Sequence, residues 1–275
     1  MGGFAKIPAG LAALAVLTAS PAFASGSEKA PIESTKLEPE TAAAFSKQVE
    51  RELAAKGARV ALVFRAGQPR EQLPEDIDYT HGAFWVYQEI ERADGTRMRG
   101  YAVYNLYHGD GDKLPRSQSY LEQDFPYDFM SGSTADDVAV IIPDPELQRR
   151  LMKVIASPTY EALHVKDYSL ISNVADPKYQ NCNEFMLDVI AAAAWETSDY
   201  AQIKANLAKY FEPTEIEVGL FKRIFAPVFD DRVKADDHDG KIMTASYDSL
   251  VGFLAKYELL QETFVIYRDG DELTF

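Results

Sequence analysis

The chain has 275 residues, a formal net charge of −15, a hydrophobic fraction of 47% and a single cysteine. The negative charge argues against nucleic acid and anionic membrane surfaces as partners, because both repel an acidic protein. One cysteine cannot form an internal disulfide, so the thiol is either free or joined to another molecule.

The beginning of the chain has the features of a secretion signal. Lys6 precedes an apolar stretch over residues 11–17, and residues 22–24 form a small-x-small cleavage site, with cleavage expected after Ala24. This stretch is too short to cross a membrane, and no later one approaches about 20 apolar residues. We therefore expect an exported protein without a membrane span, most simply a bacterial periplasmic one.

The remaining length fits one large domain or two small ones. No repeat and no low-complexity linker divides it. We predict a signal peptide over residues 1–24, a flexible segment over residues 25–38 and a single domain over residues 39–275.

The first half of this domain contains the signals of a helix and three strands. Pro39 near the first turn and Gly57 just past the end delimit a helix, and the apolar residues 60–64 predict a buried strand. Residues 81–90 and 100–107 are rich in aromatic and β-branched side chains, and the Asp94-Gly95 turn between them predicts a β-hairpin. Residues 65–79, before the hairpin, and residues 108–120, after it, indicate loops, and an aromatic-rich stretch around residues 125–129 follows.

The hairpin turn also predicts which residues pair. Residues opposite one another should have numbers that sum to about 188–190. His81 then lies opposite Tyr107 or His108, and Asn105 lies about one pair away.

The second half of the domain is predicted to contain four helices and three short strands. The elements are predicted, in order, as a strand at 138–142, a helix from 144 to 155, a helix from 182 to 195, a helix from 198 to 211, a strand at 215–218, a helix from 247 to 257 and an edge strand at 262–268.

Cys182 occupies the first turn of one of these helices. Asn181 is a good N-cap residue, and the apolar residues that follow Cys182 at helical spacing place the thiol on the buried face. Unpaired N–H groups at the helix N-terminus favour a thiolate, which is the nucleophilic form. Cys182 is therefore either a nucleophile or a small core residue, since free cysteine is often buried.

A nucleophilic thiol needs a base, and His81 is the best placed of the four histidines. It lies at the rim of an apolar strand, where a histidine either acts as a base or has a structural role. His108 belongs to a Gly/Asp loop, His164 has no evident partner, and His238 is surrounded by aspartates.

The acidic stretch from Asp230 to Asp239 contains His238. Its carboxylates could bind a hard cation such as calcium, but the spacing is not that of an EF-hand, and a flexible acidic lid is the preferred interpretation. The chain has no phosphate loop, no HExxH and no paired-cysteine motif. We expect no metal and no cofactor.

Several short stretches resemble known sequences. Arg59-Val-Ala-Leu-Val63, Tyr79-Thr-His81-Gly, Asn105-Leu-Tyr107, Tyr179-Gln-Asn-Cys-Asn183 and the Glu217-Val-Gly and Asp236-Asp-His motifs resemble the bacterial domain of unknown function 2145. The order His81, Asn105, Cys182 also resembles the circularly permuted papain-like hydrolases, which include NlpC-type peptidase relatives and lecithin–retinol acyltransferase-like enzymes.

This resemblance implies an α+β fold in which a central antiparallel sheet packs against the cysteine-bearing helix. It implies Cys182 as nucleophile, His81 as general base and Asn105 as the residue that orients the imidazole, with His108 as the alternative. The backbone N–H of Cys182, with Asn181 or Gln180 as a side-chain donor, would form an oxyanion hole.

Two classes of function fit these features. The first is an exported thiol hydrolase or acyl-transferase that acts on an amide or ester bond of a small-molecule, peptide or acyl substrate, such as a cell-wall peptide. The alternatives are a non-catalytic ligand-binding module of the same fold, with an aromatic-lined groove, and a thiol redox sensor. The oligomeric state is left open.

Overall fold

A computed structural model of the chain describes residues 36–73, 77–91, 94–216 and 231–268. The predicted signal peptide, residues 25–35 of the predicted flexible segment, the end of the strand predicted at 215–218 and the first residue of the acidic stretch lie outside these ranges. Within them, no helix combines the length and the apolar character that crossing a membrane requires.

The helices follow the N-terminal signals found in the sequence. Pro39 begins the first helix, and the Asp144 side chain accepts hydrogen bonds from two N–H groups in the first turn of the helix at Pro145. Gly57, just past the first helix, has the positive φ of 67° that glycine adopts readily. The described helices are α1 Pro39–Ala55, α2 Pro126–Met130, α3 Pro145–Ile155, α4 Pro158–Ala162, α5 Cys182–Trp195, α6 Tyr200–Tyr210 and α7 Tyr247–Lys256.

Six strands form an antiparallel sheet in the order β4-β3-β2-β1-β5-β8, and a separate two-stranded ribbon pairs β6 with β7. The strands are β1 Val60–Arg65, β2 His81–Glu91, β3 Arg97–His108, β4 Ser119–Asp124, β5 Asp137–Pro143, β6 Thr214–Ile216, β7 Ile242–Thr244 and β8 Leu260–Tyr267. The described chain is therefore a mixed α+β structure with an antiparallel sheet.

Helices cover both faces of the sheet, and alternate strand residues form two separate cores. One core joins α1 and α2 to the sheet through Phe45, Val49, Leu53, Phe129, Val63, Trp85 and Val103. The other joins α3, α5, α6 and α7 to the opposite face through Leu147, Phe185, Val189, Leu207, Leu250, Leu62, Phe84 and Leu106. Cys182 belongs to the second core.

The β2–β3 hairpin has the predicted register, because Phe84 lies opposite Tyr104. Two features differ from the prediction. The strand at residue 60 continues to Arg65, which pairs with His81. A loop followed by an aromatic stretch was expected after the hairpin, whereas β4 pairs with β3 there; its mixed polar sequence Ser-Tyr-Leu-Glu-Gln-Asp suits an edge strand.

Candidate active site

Helix α5 presents Cys182 as its first residue. The Asn181 side chain caps the helix by accepting a hydrogen bond from the Glu184 N–H at 2.9 Å, as the sequence predicted. The helix is buried on nearly all sides, which explains its continuous apolar sequence. Cys182 is 4% exposed.

The Cys182 sulfur lies against the beginning of β2. It is 3.9 Å from the carbonyl oxygen of Thr80 and 3.9 Å from Oδ1 of Asn183, and it also accepts a hydrogen bond from the backbone N–H of Gly82. The sulfur therefore contacts the backbone on both sides of His81.

Glycine at position 82 permits this close approach of α5. A Cβ atom at Gly82 would lie 2.3 Å from Cε of Met186 and 2.8 Å from two ring carbons of Phe64. Carbon atoms pack at about 3.5–4.0 Å, so a side chain here would push the cysteine helix away from the strand.

Burial raises the pKa of the Cys182 thiol. The N–H groups of Gly82, Asn183 and Cys182 and the positive charge of Arg65 act in the opposite direction without cancelling the effect of burial. The resting site consequently holds a protonated thiol surrounded by groups that would stabilise its anion.

His81 and Asn105 are joined by a hydrogen bond between Nε2 and Oδ1 of 3.1 Å. Nδ2 of Asn105 donates to Asp124 at 2.8 Å, which fixes the amide with its oxygen towards the imidazole. An amide oxygen can only accept, so Nε2 carries the hydrogen and Nδ1 is the basic nitrogen of the neutral ring. The side chain of Asn105 thus selects the tautomer of His81.

Aromatic rings hold the imidazole in place. The His81 ring stacks on Tyr107 with centroids 5.2 Å apart and lies 5.5 Å from the Phe129 ring. The Tyr107 hydroxyl donates to the same Asp124 carboxylate that anchors Asn105. The imidazole of His81, the amide of Asn105 and the carboxylate of Asp124 therefore form one connected group at the end of the sheet.

The sulfur and the imidazole reach this end of the sheet from opposite faces. His81 contacts Phe129, which belongs to the core beneath α2, whereas Cys182 belongs to the core beneath α5. The regular β2–β3 pairing begins only at Phe84, three residues after the start of β2. The hydrogen bonds of the sulfur within the described chain go to backbone groups and Asn183, not to the imidazole.

His108, the alternative orienting residue, has other partners. Its Nδ1 bonds the carbonyl of Gly109 at 2.7 Å, and its Nε2 lies 3.0 Å from Nη1 of Arg232. Its ring also packs against Tyr168, at 5.5 Å between centroids. The structure therefore joins Asn105, rather than His108, to His81.

The side-chain oxyanion candidates point into the interior. Gln180 is fully buried, and its amide nitrogen donates to the carbonyl of Leu163 at 3.1 Å and to Asp188 at 2.7 Å. The amide nitrogen of Asn181 donates to the carbonyl of Leu170 and to Thr244, both at 3.2 Å. Both donors hold the approach to α5 together, so these two amide groups are engaged in the interior rather than with the Cys182 sulfur.

The acidic stretch after residue 230 also differs from the expected lid. Asp237 is buried and accepts a hydrogen bond from the Asn173 N–H at 2.8 Å, and His238 Nε2 contacts the carbonyl of Ile171 at 2.7 Å. These bonds clamp the segment that leads to Cys182. No group of three or more potential metal-ligating side chains occurs among the described residues.

The sequence did not single out two contributors to the site, Asp124 and Arg65. Tyr107 was predicted opposite His81, so its contact with the imidazole follows from the register. Asp124 comes from β4, which was not predicted as a strand, and its role could only have been found by recognising that pairing.

One comparison with known proteins identifies a family. The model of a family described as an uncharacterized protein conserved in bacteria (DUF2145) matches residues 52–254, which include β1 to β7 and most of α7. No curated protein and no solved structure matches the chain. Because the match covers well over half of the chain, the protein belongs to the DUF2145 family of bacterial proteins.

Proposed function

We propose that the protein is an exported thiol hydrolase or acyl-transferase that attacks an amide or ester bond through Cys182. The observation that carries this proposal is the arrangement around His81. Its imidazole is oriented by a fully buried Asn105 at 3.1 Å, while the Cys182 sulfur touches the backbone of the residues on either side of it.

Three side chains, those of Cys182, His81 and Asn105, have distinct roles in the proposed reaction. His81 Nδ1 takes the proton from the Cys182 thiol, and the thiolate attacks the acyl carbon. The imidazolium then protonates the leaving amine or alcohol, and Asn105 keeps the ring in the required tautomer throughout. Water or a second acceptor finally cleaves the thioester, with His81 again acting as the base.

The order of these residues along the chain supports a circularly permuted papain-like fold as the architecture. The histidine and asparagine lie on neighbouring strands of an antiparallel sheet, and the cysteine begins a helix packed on that sheet. A periplasmic location and a cell-wall peptide substrate are part of the proposal; they follow from the secretion-like sequence before residue 25 and from the fold analogy.

The experiment is covalent labelling with a thiol-reactive acyl probe, detected by mass spectrometry. Wild-type protein should form an adduct on Cys182 that is absent in Cys182→Ala. His81→Ala should reduce the labelling rate by about 10²- to 10⁴-fold, the usual contribution of a general base. His108→Asn serves as the matched histidine control and should label at the wild-type rate; equal labelling of wild type and His81→Ala refutes the mechanism.

A ligand-binding module with an idle site is the second candidate. The burial of Cys182 and the raised pKa of its thiol favour it. This candidate predicts no acyl adduct at neutral pH together with a ligand that co-purifies with the protein. Native mass spectrometry detects such a ligand, and it also detects a mixed disulfide on Cys182 if the thiol is a redox sensor.

A further inference from the structure

Asp124 lies behind Asn105, one step further from the imidazole of His81. Its Oδ1 accepts a hydrogen bond from Nδ2 of Asn105 and its Oδ2 accepts one from the Tyr107 hydroxyl, each at 2.8 Å. The sheet register explains this position: Asn105 lies opposite Glu122, and Asp124 follows two residues later on the same face of β4. Strand pairing therefore holds the carboxylate as the diagonal neighbour of Asn105.

The other members of this hydrogen-bonded group can each form their hydrogen bonds in two ways. The imidazole of His81 has two neutral tautomers, the amide of Asn105 can be turned over, and the Tyr107 hydroxyl can donate or accept. An ionised carboxylate has a single role, because it carries no hydrogen and can only accept. Asp124 is therefore the member that gives these hydrogen bonds their direction.

This direction runs from the carboxylate to the imidazole. Because Asp124 accepts from the amide nitrogen of Asn105, the amide oxygen faces His81 at 3.1 Å and requires a hydrogen on Nε2. Asn105 is fully buried, so its amide nitrogen needs an acceptor within the protein. Without Asp124, turning the amide over would make Nε2 of His81 that acceptor. The ring would then carry its hydrogen on Nδ1, which is the basic nitrogen of the proposed reaction.

We propose that Asp124 is a positioning residue that determines which nitrogen of His81 acts as the base. It acts through Asn105 rather than by contact with the reacting atoms. The proton moves from Sγ of Cys182 to Nδ1 and later from Nδ1 to the leaving group, while the hydrogen on Nε2 remains in its bond to Asn105. This inference rests on the proposed function and adds to it the group that keeps Nδ1 available in both steps.

The first measurement is the tautomer of His81 in the full chain. A two-bond ¹H–¹⁵N NMR spectrum at about pH 8, above the ordinary pKa of histidine, shows which ring nitrogen carries the hydrogen, and His81→Ala assigns the signals. Wild-type protein should carry it on Nε2. Asp124→Leu removes the acceptor and should move the hydrogen to Nδ1. Asp124→Asn keeps an acceptor oxygen for Asn105, because the Tyr107 hydroxyl can accept from the new amide nitrogen, and should retain the wild-type tautomer.

The second measurement is the rate at which the acyl probe labels Cys182. Asp124→Leu should label about 10- to 100-fold more slowly than wild type, the range of equilibrium constants that one hydrogen bond to a charged group accounts for. Asp124→Asn should recover most of the rate. Asp112→Leu makes the same change at an exposed aspartate and should alter neither the tautomer nor the rate.

An unchanged tautomer in folded Asp124→Leu overturns the inference, and so does labelling of this variant at the wild-type rate. A tautomer change of equal size in Asp124→Asn also overturns it, because an acceptor oxygen would then not be the deciding feature. If Asp124→Leu does not fold, Asp124→Ala is measured with the same outcomes. The NMR spectrum needs neither a substrate nor a reactive thiol, so an Asp124-dependent tautomer in a protein that forms no acyl adduct refutes the proposed function alone.

Discussion

Replacing Gly82 by alanine tests whether the close contact between α5 and β2 holds the site together. The new Cβ would lie 2.3 Å from Cε of Met186 and 2.8 Å from Cδ1 and Cε1 of Phe64. The flexible end of Met186 can rotate away, but Phe64 is fully buried and its ring packs edge-on against Tyr247 at 5.2 Å. The substitution therefore overpacks the core, at a cost of about 1–3 kcal/mol.

For a domain of this size, each kcal/mol lowers Tm by about 2–4 °C, so Gly82→Ala should lower it by about 2–12 °C in a calorimetric scan. Gly100→Ala is the matched control, because its Cβ would meet its nearest neighbour at an ordinary 3.5 Å. Gly82→Ala combined with Met186→Ala should cost less than the sum of the single changes. A Tm for Gly82→Ala equal to that of Gly100→Ala would refute the reasoning.

Three further predictions concern the surroundings of the site. Burial raises the pKa of Glu184, although its carboxylate lies 2.6 Å from Lys204, a cation it shares with Asp188. The folded state therefore keeps a proton that the unfolded state has already released, so stability should fall as the pH rises above about 5, by at most about 1.4 kcal/mol per pH unit. Glu184→Gln should flatten this decline in Tm. Asp237→Ala removes the acceptor of the Asn173 N–H and should cost about 1–3 kcal/mol in denaturant unfolding, whereas the exposed Asp239→Ala should be nearly neutral; equal small effects would restore the lid interpretation. Gly252 lies within α7, and a Cβ atom added there would have no neighbouring atom within 4 Å, so Gly252→Ala should stabilise the protein by about 0.5–1 kcal/mol, and a lower Tm would contradict this.

The sequence predicts those parts of the site that depend on residues close together in the chain. The turn at Asp94-Gly95 determined the hairpin register, and the register placed Asn105 close to His81. Asn181, as an N-cap residue, likewise predicted the helix that begins at Cys182. In each case the interaction is local or follows from counting along one hairpin.

The remaining parts of the site depend on contacts between distant segments. Arg65 reaches His81 because β1 pairs with β2, and Asp124 reaches Asn105 because β4 pairs with β3. Each pairing buries or fixes a charge that looks like an ordinary exposed group in the sequence. A composition or a periodicity carries no information about which charges will meet, so these residues were visible only in the folded chain.

The face on which each side chain emerges could not be predicted either, and it determines how the site works. His81 and Cys182 occupy opposite faces of β2, and the Gly82 N–H is on the sulfur's side of the strand. The Gly82 N–H already bonds the sulfur, and the absent side chain leaves the space that Met186 occupies. Proton transfer between sulfur and imidazole in the proposed reaction must therefore pass the beginning of β2, ahead of its regular pairing with β3.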